Sequence, residues 1–410
     1  MPDRSIAVLA MPSPRSVQAA AVWITARSWL LAAAERFGEA QLITPEGSIA
    51  VEDLDALIDS MLGSPSSPAR KRSRLSIEGR TFVKDLRLAA RHTRQSRLRP
   101  STASVPGQVT PFVWQHHDPF FALGSQVARS VGAPLVQFVD APHVWEARRW
   151  GVRRPGWGSV LERLGERPQL ASADLVVCVS DEVAEAVERL TDAGARIVVA
   201  PCTADARFFA RPAQRESVRT ELGFEEGDVV VGWAGSFRRF HAVEDLVTAF
   251  QRAAPSHSGL RLMLVGDGPD RDRIQDMAGT LGISDRVVFT GSVPYSSMPS
   301  YVSAIDIAVV TARDAVSFHY SPLKLKEYRA SGRSVIAPDA GQVRLTVKDG
   351  HNGSLYAPGD VRGLAQAISI LAGDGELRTR FGLTARTDEL ASGGALAHVD
   401  IVTRELDQGS

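Results

Sequence analysis

Lys324 and Glu327 lie three residues apart, a spacing that sets an ammonium and a carboxylate on one face of a helix. The flanking residues favour a helix there. Ser321 offers a hydroxyl able to accept an orphan amide at the N-cap, and Pro322 at the first helical position gives up no needed donor. Gly332 suits the left-handed closing position, and Ser334 to Ala337 is a short apolar run of strand type. The stretch 319–338 thus reads as loop, short helix, turn and buried strand. Free amides and the dipole at a helix start attract anions. The pattern suits a diphosphate at the N-terminus, Lys324 beside it, and Glu327 reaching ribose hydroxyls. The same residues also suit a capped surface helix with an ordinary Lys–Glu ion pair, a common weak device. Context has to decide.

Two further groups of residues invite chemistry. Gly235-Ser236-Phe237-Arg238, with His241 close behind, follows the apolar run Asp228 to Ala234 and precedes a helix expected over Val243 to Ala254. A glycine at a strand end, then a basic loop and a helix, is a common approach to phosphate, although it is not a full dinucleotide fingerprint. In the first half, His116 and His117 follow the apolar run Val109 to Trp114, and Asp140 and His143 follow Pro134 to Val139. Polar residues at the carboxyl ends of parallel strands are where open α/β sheets place their chemistry. Surface or core histidines are the competing reading for each one singly.

The elements needed to hold these groups alternate along the chain. Ser5 to Ala10 and Ala40 to Thr44 are strands on either side of an apolar helix within 16–38, the unit of a parallel sheet. That helix is long enough to cross a bilayer, but Arg27 stands in its middle, so it reads as a helix packed on a sheet. Strands follow at Asp174 to Ser180 and Arg196 to Ala200, with a helix opened by Ser180. The second half repeats the alternation through strands at Leu260 to Val265, Arg286 to Thr290 and Ile305 to Val310. The expected domains are 1–205 and 206–391, each Rossmann-like, with 392–410 as a last helix crossing back to the first.

A chain of 410 residues exceeds one ordinary core, and 44% apolar with 23% charged residues is a folded, soluble composition. A formal net charge of zero gives no global field for nucleic acid. Cys178 and Cys202 have no metal-type spacing and read as reduced core thiols of a cytoplasmic protein. The neutral total hides one strong local excess. Eleven Lys and Arg between Arg70 and Arg99, against Glu78 and Asp85, give that segment a net charge of +9 within an excursion of about 63–100. Leu75, Ile77, Phe82, Val83, Leu86 and Leu88 are interleaved, so part of it suits an amphipathic helix for an anionic membrane face or an anionic acceptor, with a solvated surface run as the plainer alternative. Arg148 to Trp157, a mixture of guanidinium and indole, reads as an interfacial or acceptor-binding loop, with a partly disordered loop as the alternative.

The ordered set of signals in the second half resembles the retaining nucleotide-sugar glycosyltransferases of family 4. The pieces are Gly235-Ser-Phe-Arg238, Leu264-Val-Gly-Asp-Gly-Pro-Asp-Arg271, Asp285 to Pro294, Ala304-Ile-Asp-Ile307, Ser321-Pro-Leu-Lys-Leu-Lys-Glu-Tyr328, Asp349-Gly-His-Asn-Gly353 and Pro358-Gly-Asp360. The resemblance implies an α/β, GT-B architecture of two facing Rossmann-like domains with parallel sheets. It implies a donor site in which Arg238 and Lys324 neutralise a departing diphosphate and Gly235, Ser236, His319, Tyr320, Ser321, Pro322 and Leu323 line it. Glu327 would hold the ribose, and Ser292 and Val293 the base. Asp140, standing where many relatives carry a histidine, joins Arg238, Lys324 and Glu327 as the expected catalytic set, and His116, His117 and His143 are the expected acceptor side. The implied reaction transfers a sugar with retention from a nucleoside diphosphate to a hydroxyl acceptor, lipid-linked or a natural product, without metal or resident cofactor. A contact with an anionic membrane is a further expectation; nucleic acid is not expected as a partner.

The sequence departs from that pattern at informative places. His319 occupies the earlier of two positions, eight apart, that usually hold glutamates, and His241 stands where a lysine is frequent. Cys202-Thr203 replaces a usual Asn-Gly pair. These changes leave open a second reading, a degenerate relative that binds a nucleotide sugar or a partner enzyme without turnover. A sugar epimerase is a third.

Overall fold

The computed structural model describes residues 5–63, 77–95, 109–210, 214–316, 318 and 321–408. Contacts divide the chain into two compact units, one of residues 1–54, 69–202 and 395–410, the other of 55–68 and 203–394.

The first unit is built on β1 (Ser5–Ala10), β2 (Gly38–Thr44), β3 (Gly47–Ile49), β4 (Val113–His116), β5 (Leu135–Val139), β6 (Leu175–Cys178) and β7 (Ile197–Val199). The order is β3-β2-β1-β4-β5-β6-β7, parallel throughout except for the β2–β3 hairpin. Runs such as Leu135-Val-Gln-Phe-Val139 are buried along their whole length, as strands covered on both faces must be. The covering helices are α1 (Ala20–Phe37), the start of α2 (Val51–Gly63), α3 (Ile77–Gln95), α4 (Leu123–Val131), α5 (His143–Arg149), α6 (Trp157–Leu161), α7 (Arg167–Ala171) and α8 (Asp181–Thr191). In α1 the residues Trp23, Ala26, Trp29, Leu30 and Ala33 are buried, and Gly38 closes it in the left-handed region at φ 89°. Ser180 caps α8 as expected, accepting the Val183 amide at 3.1 Å.

The second unit carries β8 (Val229–Ala234), β9 (Leu260–Val265), β10 (Val287–Gly291), β11 (Ile307–Val309), β12 (Ser334–Pro338) and β13 (Ser354–Tyr356), all parallel, in the order β10-β9-β8-β11-β12-β13. Its helices are α9 (Arg215–Glu221), α10 (Val243–Ala253), α11 (Arg271–Thr280), α12 (Met298–Ala304), α13 (Leu323–Ala330), α14 (Val343–Thr346), α15 (Val361–Gly373) and α16 (Gly375–Ala391). Its core gathers Val231, Trp233, Phe237, Leu246, Phe250, Leu264 and Ile368 among others. Each such side chain is worth about 1.5–3 kcal/mol of burial. The chain direction across the sheet reverses between β8 and β11, so the carboxyl ends of those two strands open the crevice in which such sheets bind ligands. The last helix, α17 (Gly394–Asp407), lies against the first unit: Asp400 pairs with Arg36 at 2.9 Å, and Glu405 with Arg196 at 2.8 Å.

Several boundaries differ from the sequence reading for physical reasons. The strand expected from Val109 begins at Val113, because Pro111 has no amide for the ladder, and Val109 keeps only an isolated bridge to Ser5. His116 is therefore the last strand residue instead of part of a loop. Arg148 and Arg149, read as loop, form the last turn of α5, where cations favour the dipole. Pro322, expected as the first helical residue, is the cap of α13 in extended conformation (φ −73°, ψ 108°), which displaces Ser321 from the N-cap position. Of the basic segment, 64–76 and 96–108 lie outside the described residues; the described part is α3. Among the described residues no helix is long and apolar enough to cross a membrane.

Candidate functional site

The crevice end of the second sheet is shaped first by glycine. Gly266, after β9, holds φ 121°, and a Cβ there would fall 2.1 Å from the Gly235 carbonyl oxygen, so the loops after β8 and β9 touch backbone to backbone. A Cβ on Gly235 would lie 2.7 Å from Lys324 Nζ. Lys324, from the first turn of α13, thus reaches across to the end of β8, and its Nζ stands 4.1 Å from the Trp233 ring centroid. Burial pushes the ammonium down to about 7, with Glu327 pulling the other way.

Glu327 is buried one turn later, not solvated as a surface ion pair requires. The Tyr295 hydroxyl donates to its Oε1 at 2.9 Å. Burial pushes the carboxyl up to about 7, opposed by that hydrogen bond and by Lys324 and Arg207. Tyr295 is itself anchored. The Arg207 guanidinium lies 4.9 Å from its ring centroid, and Asp59 accepts its amide at 2.5 Å. Arg207 donates twice to Asp205, at 3.0 and 3.1 Å, and pairs with Asp55 at 3.4 Å. One more contact fixes the helix: the Tyr328 hydroxyl accepts the Ala234 amide at 2.7 Å.

His241 completes this wall. Its ring is 5.8 Å from that of Trp233, and burial, then Lys324 and Arg238, push it down to about 2, so it is neutral. Its carbonyl accepts the Thr311 hydroxyl, tying the loop after β8 to the one after β11. Arg238 is exposed and Ser236 half-buried. Ser292 and Val293 follow β10, three and two residues before Tyr295. Ser321 is buried ahead of Leu323, while His319 and Tyr320 lie outside the described residues. Gly235 and Lys324 therefore meet directly, His241 joins them through the Trp233 ring, and Glu327 stands one helical turn from Lys324 with Tyr295.

In the first unit the three expected histidines lie near one another but take different side-chain partners. His116 Nδ1 is 3.9 Å from Asp140, and burial, then His117, push it down to about 3. Burial, with Glu146 adding to it, pushes the Asp140 carboxyl up. His117 instead faces Glu166 at 3.4 Å, a fully buried carboxylate in the π-turn Glu162–Glu166 that also accepts the His143 amide at 2.5 Å and so caps α5. His143 Nε2 lies 2.8 Å from Arg154, whose guanidinium donates to Asp85 at 2.7 and 3.1 Å. These bonds hold the Asp85 carboxyl well below its usual range, against the opposite and largest effect of burial. Sequence reading missed Glu166 and Tyr295, whose partners are distant in the chain, and the neighbouring pair Asp205 and Arg207, which is joined to Tyr295 and Asp55 only by the fold. Asp85 carried a signal, as the one acid in the interior of a basic helix whose other acid, Glu78, is in the first turn. Among the described residues no three His, Cys, Asp or Glu side chains gather as a metal site.

Residues 228–374 match the family model described as glycosyl transferases group 1. Over 246 residues the chain is 32% identical to a 2-deoxystreptamine N-acetyl-D-glucosaminyltransferase of Streptomyces fradiae, covering 59% of this chain and 56% of the relative. A D-inositol 3-phosphate glycosyltransferase of Nocardia farcinica is 32% identical over 248 residues, 58% and 53% of the two chains. The chain thus spans about half the length of the curated relatives it matches. Among solved structures, Anabaena Alr3699/HepE in complex with UDP and glucose superposes with a TM-score of 0.65 at 16% identity, covering 98% of this chain and 100% of that one. The shared architecture is the GT-B fold, with two Rossmann-like parallel sheets.

Proposed function

We propose that this chain, with its group 1 glycosyl transferase match and GT-B fold, moves a sugar from a nucleoside-diphosphate donor to a hydroxyl acceptor. The observation that carries the reading is the half-buried Lys324 ammonium at the Gly235 end of β8, over Trp233 and one helical turn from Glu327. A diphosphate at the start of α13 would meet free amides and this cation together. Arg238, exposed beside it, would add a second charge, and Glu327, oriented by Tyr295, would take the ribose hydroxyls. The loop at Ser292 and Val293 would carry the base, and Asp140 with His116 the acceptor side. Transfer would retain configuration. The bond from sugar C1 to the diphosphate oxygen breaks, the acceptor oxygen bonds C1 on the same face, and its proton passes to the departing phosphate. Catalysis of that kind is charge stabilisation and positioning, with no metal step.

The test is product analysis. Incubated with its donor and acceptor, the protein should release nucleoside diphosphate, give a glycoside whose anomeric proton matches the donor's configuration, and be unaffected by EDTA. An inverted product would overturn retention, and inhibition by EDTA the metal independence. Tight donor binding without hydrolysis or transfer to any acceptor would favour the non-catalytic reading.

A further inference from the structure

The helix α3 is oriented the opposite way from an ordinary surface helix. Its buried residues are polar, Asp85 and His92. Three of its large apolar side chains point outward, Ile77 at 69% exposed, Phe82 at 40% and Leu86 at 53%, while Val83 and Leu88 are half-buried. A helix packed on a soluble domain buries its apolar stripe. What turns this one over is the polar anchor, in which Asp85 takes two bonds from Arg154 and one from Trp157 at 3.0 Å, while His92 Nδ1 meets the Pro119 carbonyl at 2.8 Å.

Farther around the same solvent-facing side of the helix, away from Asp85 and His92, runs a stripe of exposed cations, Arg80, Lys84, Arg87, Arg91 and Arg94, at spacings of four, three, four and three that keep them in line. Arg91 binds the Ser16 hydroxyl at 2.7 Å; among the described residues Lys84, Arg87 and Arg94 have no acidic partner. The surface continues past the helix. Phe82 packs edge-on against Trp157 at 5.2 Å, and Trp150, Val160 and Leu164, in the chain on either side of Trp157, are also exposed. A pocket of about 300 Å³ opens there, lined by Arg148, Arg153 and Arg154, the last being the residue that anchors Asp85.

We propose that this face docks on a bilayer bearing anionic headgroups. The cations supply attraction to the charged surface, and Phe82, Leu86 and Trp150 enter the interfacial layer, which a soluble polyanion does not offer. The inference stands apart from the transfer reading, since it concerns binding alone.

Vesicle sedimentation tests it. The protein should pellet with vesicles of phosphatidylcholine and phosphatidylglycerol in equal parts, stay soluble with phosphatidylcholine alone, and be released as salt rises through a few tenths molar. Each surface cation is worth about fivefold in partition, so the triple change R80E, K84E and R87E should weaken binding by at least about a hundredfold. L86S should weaken it as well, with no change in net charge. Unaltered thermal unfolding of each variant keeps a loss of binding from being a loss of fold. No binding to the mixed vesicles at low salt overturns the proposal. So does binding that is equal on neutral lipid, or that survives the triple change. Displacement by polyphosphate together with insensitivity to L86S would identify a soluble polyanion as the partner and would overturn the bilayer.

Discussion

Lys324 and Glu327 are opposite charges that burial disfavours alike, and each is pushed to about 7. For Glu327 the folded state keeps the proton between about 4.5, its ordinary value, and 7. Stability from this group is therefore present at acid pH and lost as pH rises through 7. Glu327→Gln keeps an acceptor for Tyr295 and removes the buried charge. It should raise the unfolding temperature at pH 8, by an equivalent of about 3 kcal/mol, and change little at pH 5; equal effects at both would contradict the assignment. Lys324 has the complementary sign. An anion placed against it restores the ammonium, so binding of UDP near pH 7.5 should take up protons, seen as a buffer-dependent heat in calorimetry. Lys324→Met should remove that uptake, leaving only what the nucleotide itself contributes. The pairing of Lys324 with Glu327 was legible from their spacing. Their surroundings were not, because the Trp233 ring over Lys324 and the Tyr295 hydroxyl bonded to buried Glu327 belong to segments 91 and 32 residues away respectively.

Strands and glycine loops of the second unit were the easiest elements to read, since uninterrupted apolar runs ending in glycine have few alternatives. Leu260 to Val265 was placed to the residue. Harder were elements decided by one backbone detail, such as Pro111 delaying β4 or Pro322 delaying α13. The junction of the loops after β8 and β9 yields a prediction at this scale. Gly266→Ala adds a Cβ 2.1 Å from a carbonyl oxygen at φ 121°, where neither partner can swing away as a flexible side chain would. Strain and overpacking together should cost about 3 kcal/mol, read in urea unfolding. UDP affinity should fall in the same variant, because Gly235 and Lys324 move with that loop. A variant of unchanged stability would contradict the close contact.

At the scale of the whole molecule, composition alone misleads, because zero net charge conceals a strongly cationic helix and an even apolar content conceals where the apolar residues point. The two-sheet architecture was legible from alternating elements. The networks around Glu166, Asp85 and Arg207 were not, since each joins charged residues from separate elements that have no period or motif in common. The donor reading nonetheless depends on few atoms of the second unit, and these can be tested without knowing the acceptor. The decisive measurement is a panel of nucleoside-diphosphate sugars titrated by calorimetry against the wild type, Lys324→Ala and Glu327→Ala. The account predicts that at least one donor binds the wild type, and that Lys324→Ala weakens it about tenfold to a hundredfold, the worth of a lost charge-assisted hydrogen bond, with Glu327→Ala also weaker. Failure of every donor to bind, or affinity unchanged in both variants, would contradict it.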